Sequence, residues 1–397
     1  MTQFIQIQMP PRPGAAQGFA LWQLGFRPFF LLAASFAALS IPLWALQFSG
    51  WLTQPYLQGS LWHAHEMLFG FTLAVIVGFL FTAGQNWTNR PTPTGLPLML
   101  LAGLWVAGRI LVLTPYEWAA AVANVAFPLA AAIALAIPFA KAASRRNYFF
   151  IAVLLVMSVA ALAVHLDRLH WAMLPGWLGV QIALDLVLFV MSVMAGRVVP
   201  MFTNNGIPGA GAARLPMVDK AALGLVLLLL FADALGIHGA PMLLLALAAA
   251  TAHLVRWIAW RPWKTLRTPI VWVLHLAYVW IPAHLALRVL AELGRVSPST
   301  AIHALTAGAA GGLIIGMMTR ITKGHTGRPM RADAWDTACY LLVAAAAVVR
   351  VAVPHLWPQW TIHAVLCSAA LWSAGFGLFV VAYWPALTRA RLDGRPG

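Results

Sequence analysis

Residues 61–71 read LWHAHEMLFGF and set His63, His65 and Glu66 at the head of a long apolar run. Neutral imidazole ligates iron, copper or zinc and also carries protons, and a neighbouring carboxylate can serve either chemistry. On a helix His63 and Glu66 are three apart and share a face, whereas His65 lies about 200° round from His63. The two histidines therefore cannot easily serve one metal. Two roles are expected, one histidine on a cofactor and the other on a second metal or a proton path, with Glu66 nearby. Further histidines, His253, His275, His284 and His303, stand in other apolar runs, as do Asp185 and Asp233. An ionisable group inside a bilayer is costly and by default faces the bundle interior, where it pairs, binds or relays protons.

The elements that must position these groups follow from composition. Of 397 residues, 62% are hydrophobic and 9% charged, with a mean hydropathy of +0.82, against roughly 25% charged residues in a soluble domain. The chain is an integral membrane protein. At about 20 apolar residues per crossing it has room for roughly a dozen spans and no sizeable soluble domain. Continuous apolar runs, rather than short alternating ones, exclude a β-barrel. The expected fold is all-α, a polytopic bundle with spans near 26–48, 63–83, 96–114, 117–139, 148–166, 178–199, 218–237, 241–260, 269–290, 301–319, 336–354 and 361–384. Residues 1–25 form an N-terminal cytoplasmic segment, 26–385 one membrane domain and 386–397 a basic tail. The first 20 residues lack the pattern of a cleavable signal, so insertion is expected to rest on the first span. Cys339 and Cys367 lie in apolar runs with no C-x-x-C-H sequence, so any haem would be non-covalent.

Lys and Arg are retained on the cytoplasmic side. With both termini inside, that side receives most basic residues, including Arg12, Arg27, Arg197, Arg328 and Arg395, and only Arg109, Arg168, Arg288, Arg295 and Arg350 fall outside. Topology and anionic headgroups then account for the net charge of +15, and nucleic acid is not expected as a partner. His63, His65 and His303 begin spans at their outer ends, and His284 lies about 10 Å below one. His275 falls about 13 Å deeper, with His253 at a similar depth.

A gapless superposition of the second and tenth spans with His65 on His303 also aligns Gly70 with Gly308, Gly78 with Gly316, Arg90 with Arg328 and Pro91 with Pro329. Gly196 and Asn204 of the sixth span fit the same frame, so equivalent helices would recur every fourth span in three groups of four. Gly308, Gly311, Gly312 and Gly316 form a strip against which a porphyrin face could lie; the alternative is close helix packing by small residues. Arg109, Arg288 and Arg350 lie where haem propionates would emerge, or snorkel to headgroups.

Five separated segments, LGFRPFFLL, WHAHEMLFGF, GRVVPMFTNN, LHLAYVWI and HALTAG…GMMTRITKGHTGRP, resemble the NnrS family across nearly the whole chain. The resemblance implies a bacterial inner-membrane protein with haem b and copper, linked to nitric oxide metabolism and relief of nitrosative stress. Its motif positions here are His63, His65, Glu66, Arg197, Asn204, His275, His303, His325 and Arg328. The expected topology also looks like the catalytic subunit of haem–copper oxidases, a fold-level analogy only; the sixth span departs from that pattern in lacking a histidine. The leading expectation is a haem bound by His65 and His303, with His63, Glu66 and His284 near a reactive or second metal position and His275 a deeper ligand. As an enzyme the protein would remove nitric oxide at a haem iron, with an unknown electron donor. The alternatives are a proton-coupled transporter and a non-catalytic sensor of nitric oxide or metal.

Overall fold

The computed structural model describes residues 18–48, 55–175 and 177–394, so Arg12, Arg395 and most of the N-terminal segment lie outside the described residues. Each expected span coincides with a helix: α1 Phe26–Phe48, α2 Gly59–Thr88, α3 Leu96–Leu111, α4 Glu117–Lys141, α5 Phe149–Arg168, α6 Leu178–Gly206, α7 Pro216–Ala234, α8 Ala240–Ala259, α9 Pro269–Glu292, α10 Pro298–His325, α11 Ala334–Leu356 and α12 Thr361–Thr388. Ten helices are long and apolar enough to cross a membrane, which makes this a multi-pass membrane protein. The other two are α3, only 16 residues long, and α7, which carries Asp219, Lys220 and Asp233.

Local sequence explains the helix ends. Proline occupies the first turn of α3, α7, α8, α9 and α10, where its missing N–H costs nothing. Asp333 and Asp336 form a reciprocal capping box at the start of α11. In α9 the helix is interrupted at Val279. Pro282 cannot donate to the carbonyl four residues back, which explains a break at that turn.

Neighbours in sequence pack as neighbours in space, and α12 packs against both α11 and α1, so the chain closes on itself. The closure is polar as well as apolar. The Ala20 N–H donates to the Thr388 carbonyl at 2.7 Å, and the fully buried Arg27 donates to the carbonyls of Ala386, Leu387 and Arg389. Arg391 donates to the His325 carbonyl at 2.8 Å. This end of the bundle, rich in arginine, is the basic end; the opposite one, where α2 and α10 begin, is the histidine end.

α2, α6 and α10 line an apolar cavity of about 100 Å³ with side chains such as Val75, Ile76, Val190, Met194, Ile314 and Met317. Both α2 and α10 contain a π-helical segment, Glu66–Thr72 and Ala304–Ala310. Each segment begins directly after the histidine that the repeat superposes, and the two coincide residue for residue in that frame. The glycines of the frame receive the preceding helix: a Cβ on Gly78 would meet Phe29 of α1 at 2.8 Å, and one on Gly316 would meet Val273 and Leu274 of α9 at 3.0 Å. α6, which the repeat frame would group with them, is α-helical throughout.

The glycine strip of α10 does not offer an open face. A Cβ on Gly308 would strike the Trp280 ring at 2.5 Å, on Gly311 the Trp372 ring at 2.5 Å, and on Gly312 Ala277 at 2.7 Å. Close helix packing, not a porphyrin, occupies it, because α9 and α12 fill the space that the missing side chains leave.

Candidate functional site

The outer turns of α2 carry polar groups in two directions. His63 faces α10. Its ring lies 6.4 Å from that of His303, centroid to centroid, with the two planes 10° from parallel. His303 Nδ1–H donates to the Ser299 carbonyl at 2.7 Å, which leaves its Nε2 as the lone-pair nitrogen. Nδ1 of His63 is buried with no hydrogen-bond partner. The Trp44 ring stands 5.5 Å from His63, and Arg350 of α11 donates to the Ser299 hydroxyl at 3.4 Å. The ring that meets His303 is thus His63, in place of the expected His65.

His65 turns the other way and is fully buried. Its Nδ1–H donates to Glu66 Oε1 at 2.8 Å, and Arg109 of α3 pairs with Glu66 Oε2 at 2.9 Å. Arg109 also donates to Asn124 of α4, whose amide donates to the Ala120 carbonyl at 2.8 Å. Gly70 makes room for this guanidinium: a Cβ there would lie 2.8 Å from Arg109 Nη1. Glu66 was expected on the His63 face, but its side chain reaches sideways to Arg109 and so joins His65. Beside His65 stands His165 of α5, ring centroids 5.2 Å apart and planes at 72°. The Tyr56 hydroxyl lies 3.1 Å from His165 Nδ1. Nε2 of His65 and Nε2 of His165 are both buried and without partners.

The remaining candidates are elsewhere. His284 Nδ1–H donates to the Ala301 carbonyl at 2.7 Å. Arg288 pairs with Asp233 at 2.7 Å and lies 3.8 Å from Asp185, so these two membrane acids neutralise an arginine of the chain itself. Deeper, the Thr203 hydroxyl donates to the Val199 carbonyl and accepts from His275 Nε2–H at 2.8 Å, which leaves His275 Nδ1 as an unpartnered acceptor. Toward the basic end Arg256 pairs with Asp219 at 2.5 Å and donates to Tyr278, which hydrogen-bonds His253 Nδ1 at 2.6 Å. Gly196 admits this arginine, whose guanidinium fills the position of a Cβ.

Several motif residues hold the fold. Asn204 exchanges two 2.9 Å hydrogen bonds with Ala212 and pins the α6–α7 loop. Arg197 donates to Asn147 at 3.0 Å and covers the Phe149 ring. His325 packs on Phe26 at 5.6 Å. Arg328 lines a cavity of about 230 Å³ with Lys323, Asp333 and Asp336.

His165 and Tyr56 are the site residues that sequence reasoning passed over. The same depth argument that selected His63 applies to His165, near the end of α5. Among the described residues no three His, Cys, Asp or Glu side chains converge as a metal site, so the arrangement offers two histidine pairs back to back across α2. A family model described as NnrS protein matches residues 20–391. Comparison with curated proteins found no match.

Proposed function

Because the chain belongs to the NnrS family, we propose that it is a haem b protein of the bacterial inner membrane acting in nitric oxide metabolism, with His63 and His303 as haem ligands. The observation that carries this reading is the disposition of those two rings. Imidazoles on opposite sides of one metal, at a metal–nitrogen distance of about 2.0 Å, have centres roughly 6 Å apart. The observed pair stands at 6.4 Å and nearly parallel. The orphaned Nδ1 of His63 and the Ser299 hydrogen bond that frees Nε2 of His303 fit the same role. Arg350, beside both rings, suits a propionate.

When bound, haem supplies a redox-active iron with affinity for diatomic gases. The chain's own part is to hold the ligating nitrogens in one tautomer, keep water away and admit an apolar gas. The cavity between α2, α6 and α10, lined by aliphatic and methionine side chains, favours such a gas over water. Copper is the second cofactor of this reading, and reductive or oxidative removal of nitric oxide is its reaction. Twelve crossings in three groups of four, like the haem–copper oxidase subunit, are supported by the matched π segments of α2 and α10. Cytoplasmic termini are supported by the arginines gathered where residues 19–27 meet 386–391.

The test is the absorption spectrum of the purified full chain, as isolated, after dithionite and after nitric oxide. A Soret band that responds to both is expected, and His303→Ala should lose most of it. Full haem content with an unchanged Soret band in His303→Ala would eliminate the ligand assignment. A second reading, a proton-coupled transporter, is favoured by the buried and half-buried ionisable groups of α6–α9, Asp219, Arg256, Tyr278, His253, Arg288 and Asp185. A colourless protein that drives flux in vesicles would select it.

A further inference from the structure

At the basic end, where α10 and α12 finish and α11 begins, the cavity of about 230 Å³ is lined by Lys323, Arg328, Asp333, Asp336 and Tyr383. Four of these carry charge, two of each sign, and the charges are not spent evenly. Lys323 Nζ stands 2.8 Å from Asp336 and 3.3 Å from Asp333. Asp336 also accepts the Tyr383 hydroxyl at 2.5 Å and the Asp333 N–H at 3.0 Å, so both its oxygens are occupied. Arg328 is different. Its Nη1 is buried without a hydrogen-bond partner, and among the described residues it enters no ion pair. Asp333 is its acidic counterpart: the carboxylate holds Lys323 and the Asp336 N–H with 58% of its side chain still exposed, and a carboxylate can accept about four hydrogen bonds. The lining thus leaves a cationic donor and an anionic acceptor with capacity to spare.

We propose that this cavity binds the headgroup of an amine phospholipid, phosphatidylethanolamine, with the phosphate on Arg328 and the ammonium on Asp333. Guanidinium meets phosphate in a bidentate, charge-assisted geometry, and a primary ammonium brings three donors to the carboxylate. The charge balance selects a zwitterion. An anionic headgroup would satisfy Arg328 but bring its net charge beside two carboxylates and leave Asp333 unmet, unlike the wholly basic pockets that take anionic lipids. Inorganic phosphate has the same defect. The trimethylammonium of phosphatidylcholine has no N–H to give Asp333.

The surroundings point to a lipid as the source. Val381 of α12 lines the cavity about 10 Å before the helix end at Thr388 and is 72% exposed. Trp335 lines it as well and is 60% exposed, an aromatic ring of the kind that anchors membrane helices at headgroup level. Charged groups inside and an outward apolar flank match a headgroup with its acyl chains. The volume falls below the roughly 300–1,000 Å³ of sites that enclose drug-sized ligands, so the headgroup enters and the chains stay outside along α12. The site is at the opposite end of the bundle from His63 and His303, and the inference stands independently of the haem reading.

The experiment uses the full-length protein in detergent, delipidated and then offered phosphatidylethanolamine, phosphatidylglycerol and phosphatidylcholine with identical chains at equal concentration. Native mass spectrometry reads which lipid stays bound. One phosphatidylethanolamine per chain is expected, retained about tenfold over each of the others. Arg328→Gln should lower that retention about tenfold. Asp333→Asn keeps the helix cap and should remove the preference over phosphatidylcholine and phosphatidylglycerol. Thermal unfolding of both variants checks that the fold is kept. Equal retention of the three lipids by wild type overturns the proposal, as does a preference unchanged in both variants. Competition on wild type needs no variant: glycerophosphoethanolamine or inorganic phosphate that displaces the lipid at equal concentration overturns the lipid as occupant, and failure of both to displace it supports the acyl-chain flank. A missing Soret band would count against the haem reading and leave the lipid measurement intact.

Discussion

α2 and α10 deal with buried polar groups differently from α6, although all three helices line the same apolar cavity. At the histidine end α2 presents rings whose outer nitrogens have no partner in the chain, and α10 meets one of them with His303. α6 instead presents Asp185, and Arg288 of α9 neutralises it together with Asp233. The histidine helices are opened by π segments, while α6 is regular throughout. One region keeps lone pairs in reserve for something outside the chain, and the other closes its charges on itself. At the histidine end the unmet groups are imidazole nitrogens set beside a second imidazole, whereas in the brace the buried charges pair with one another.

The sharpest way to break this contrast is to remove the π segment. Deleting Thr306 would turn 304–310 into ordinary α-helix and rotate everything before it by about 100°, taking His303 off His63. Haem content should fall at least about tenfold, and an unchanged Soret band would show that the π segment does not position the ligand. Next in size is Arg288→Ala, which strands Asp233 and Asp185 without their cation and should cost about 3–5 kcal/mol in detergent unfolding, with Soret intensity per folded chain preserved. Restoring most of that loss with Asp233→Asn in the Arg288→Ala background would identify the brace as the cause. Gly196→Ala pushes a methyl group into Arg256 and should destabilise by about 1–3 kcal/mol. Gly224→Ala on α7, where a Cβ meets nothing within 4 Å, should stabilise by about 0.5–1 kcal/mol. Equal effects at the two glycines would refute the close approach.

The smallest effect belongs to the cap of α11. Burial pushes the Asp333 carboxyl up, but the Asp336 N–H and the Lys323 ammonium outweigh it and hold the group below its ordinary range. A depressed carboxyl stabilises the fold above its unfolded value and loses that contribution as pH falls through the lower folded one. Asp333 is largely exposed, so Asp333→Ala should cost about 1 kcal/mol or less at neutral pH and nothing below that window, read from Tm against pH.

Apolar run lengths and proline positions made the helices legible, because a bilayer admits few alternatives for a run of that length. The same holds for the inward placement of His65, His275, His284 and Asp185, all buried. The repeat frame, which aligns Gly70 with Gly308, also brings the two π segments into register, although no residue pattern marked either segment as π-helical. Partner choice was less accessible. His303 meets His63 because helical phase alone does not fix how α2 is turned against α10, and a π segment shifts that phase in both. His165 joined the site through α5, whose rotation no local pattern specifies. Of the two readings the glycine strip carried, close helix packing holds: a surface without side chains attracts whatever is adjacent, and here that was Trp280 and Trp372.

The closure of α1 on α12 governs the order in which the protein can be made. The carbonyls that receive Arg27 belong to Ala386, Leu387 and Arg389, some 360 residues later in the chain. His63 likewise waits for His303, more than half the chain later. The first helices must enter the membrane and persist there as a partial assembly until α10 and α12 follow, so the His63–His303 pair forms only after α10 has been inserted.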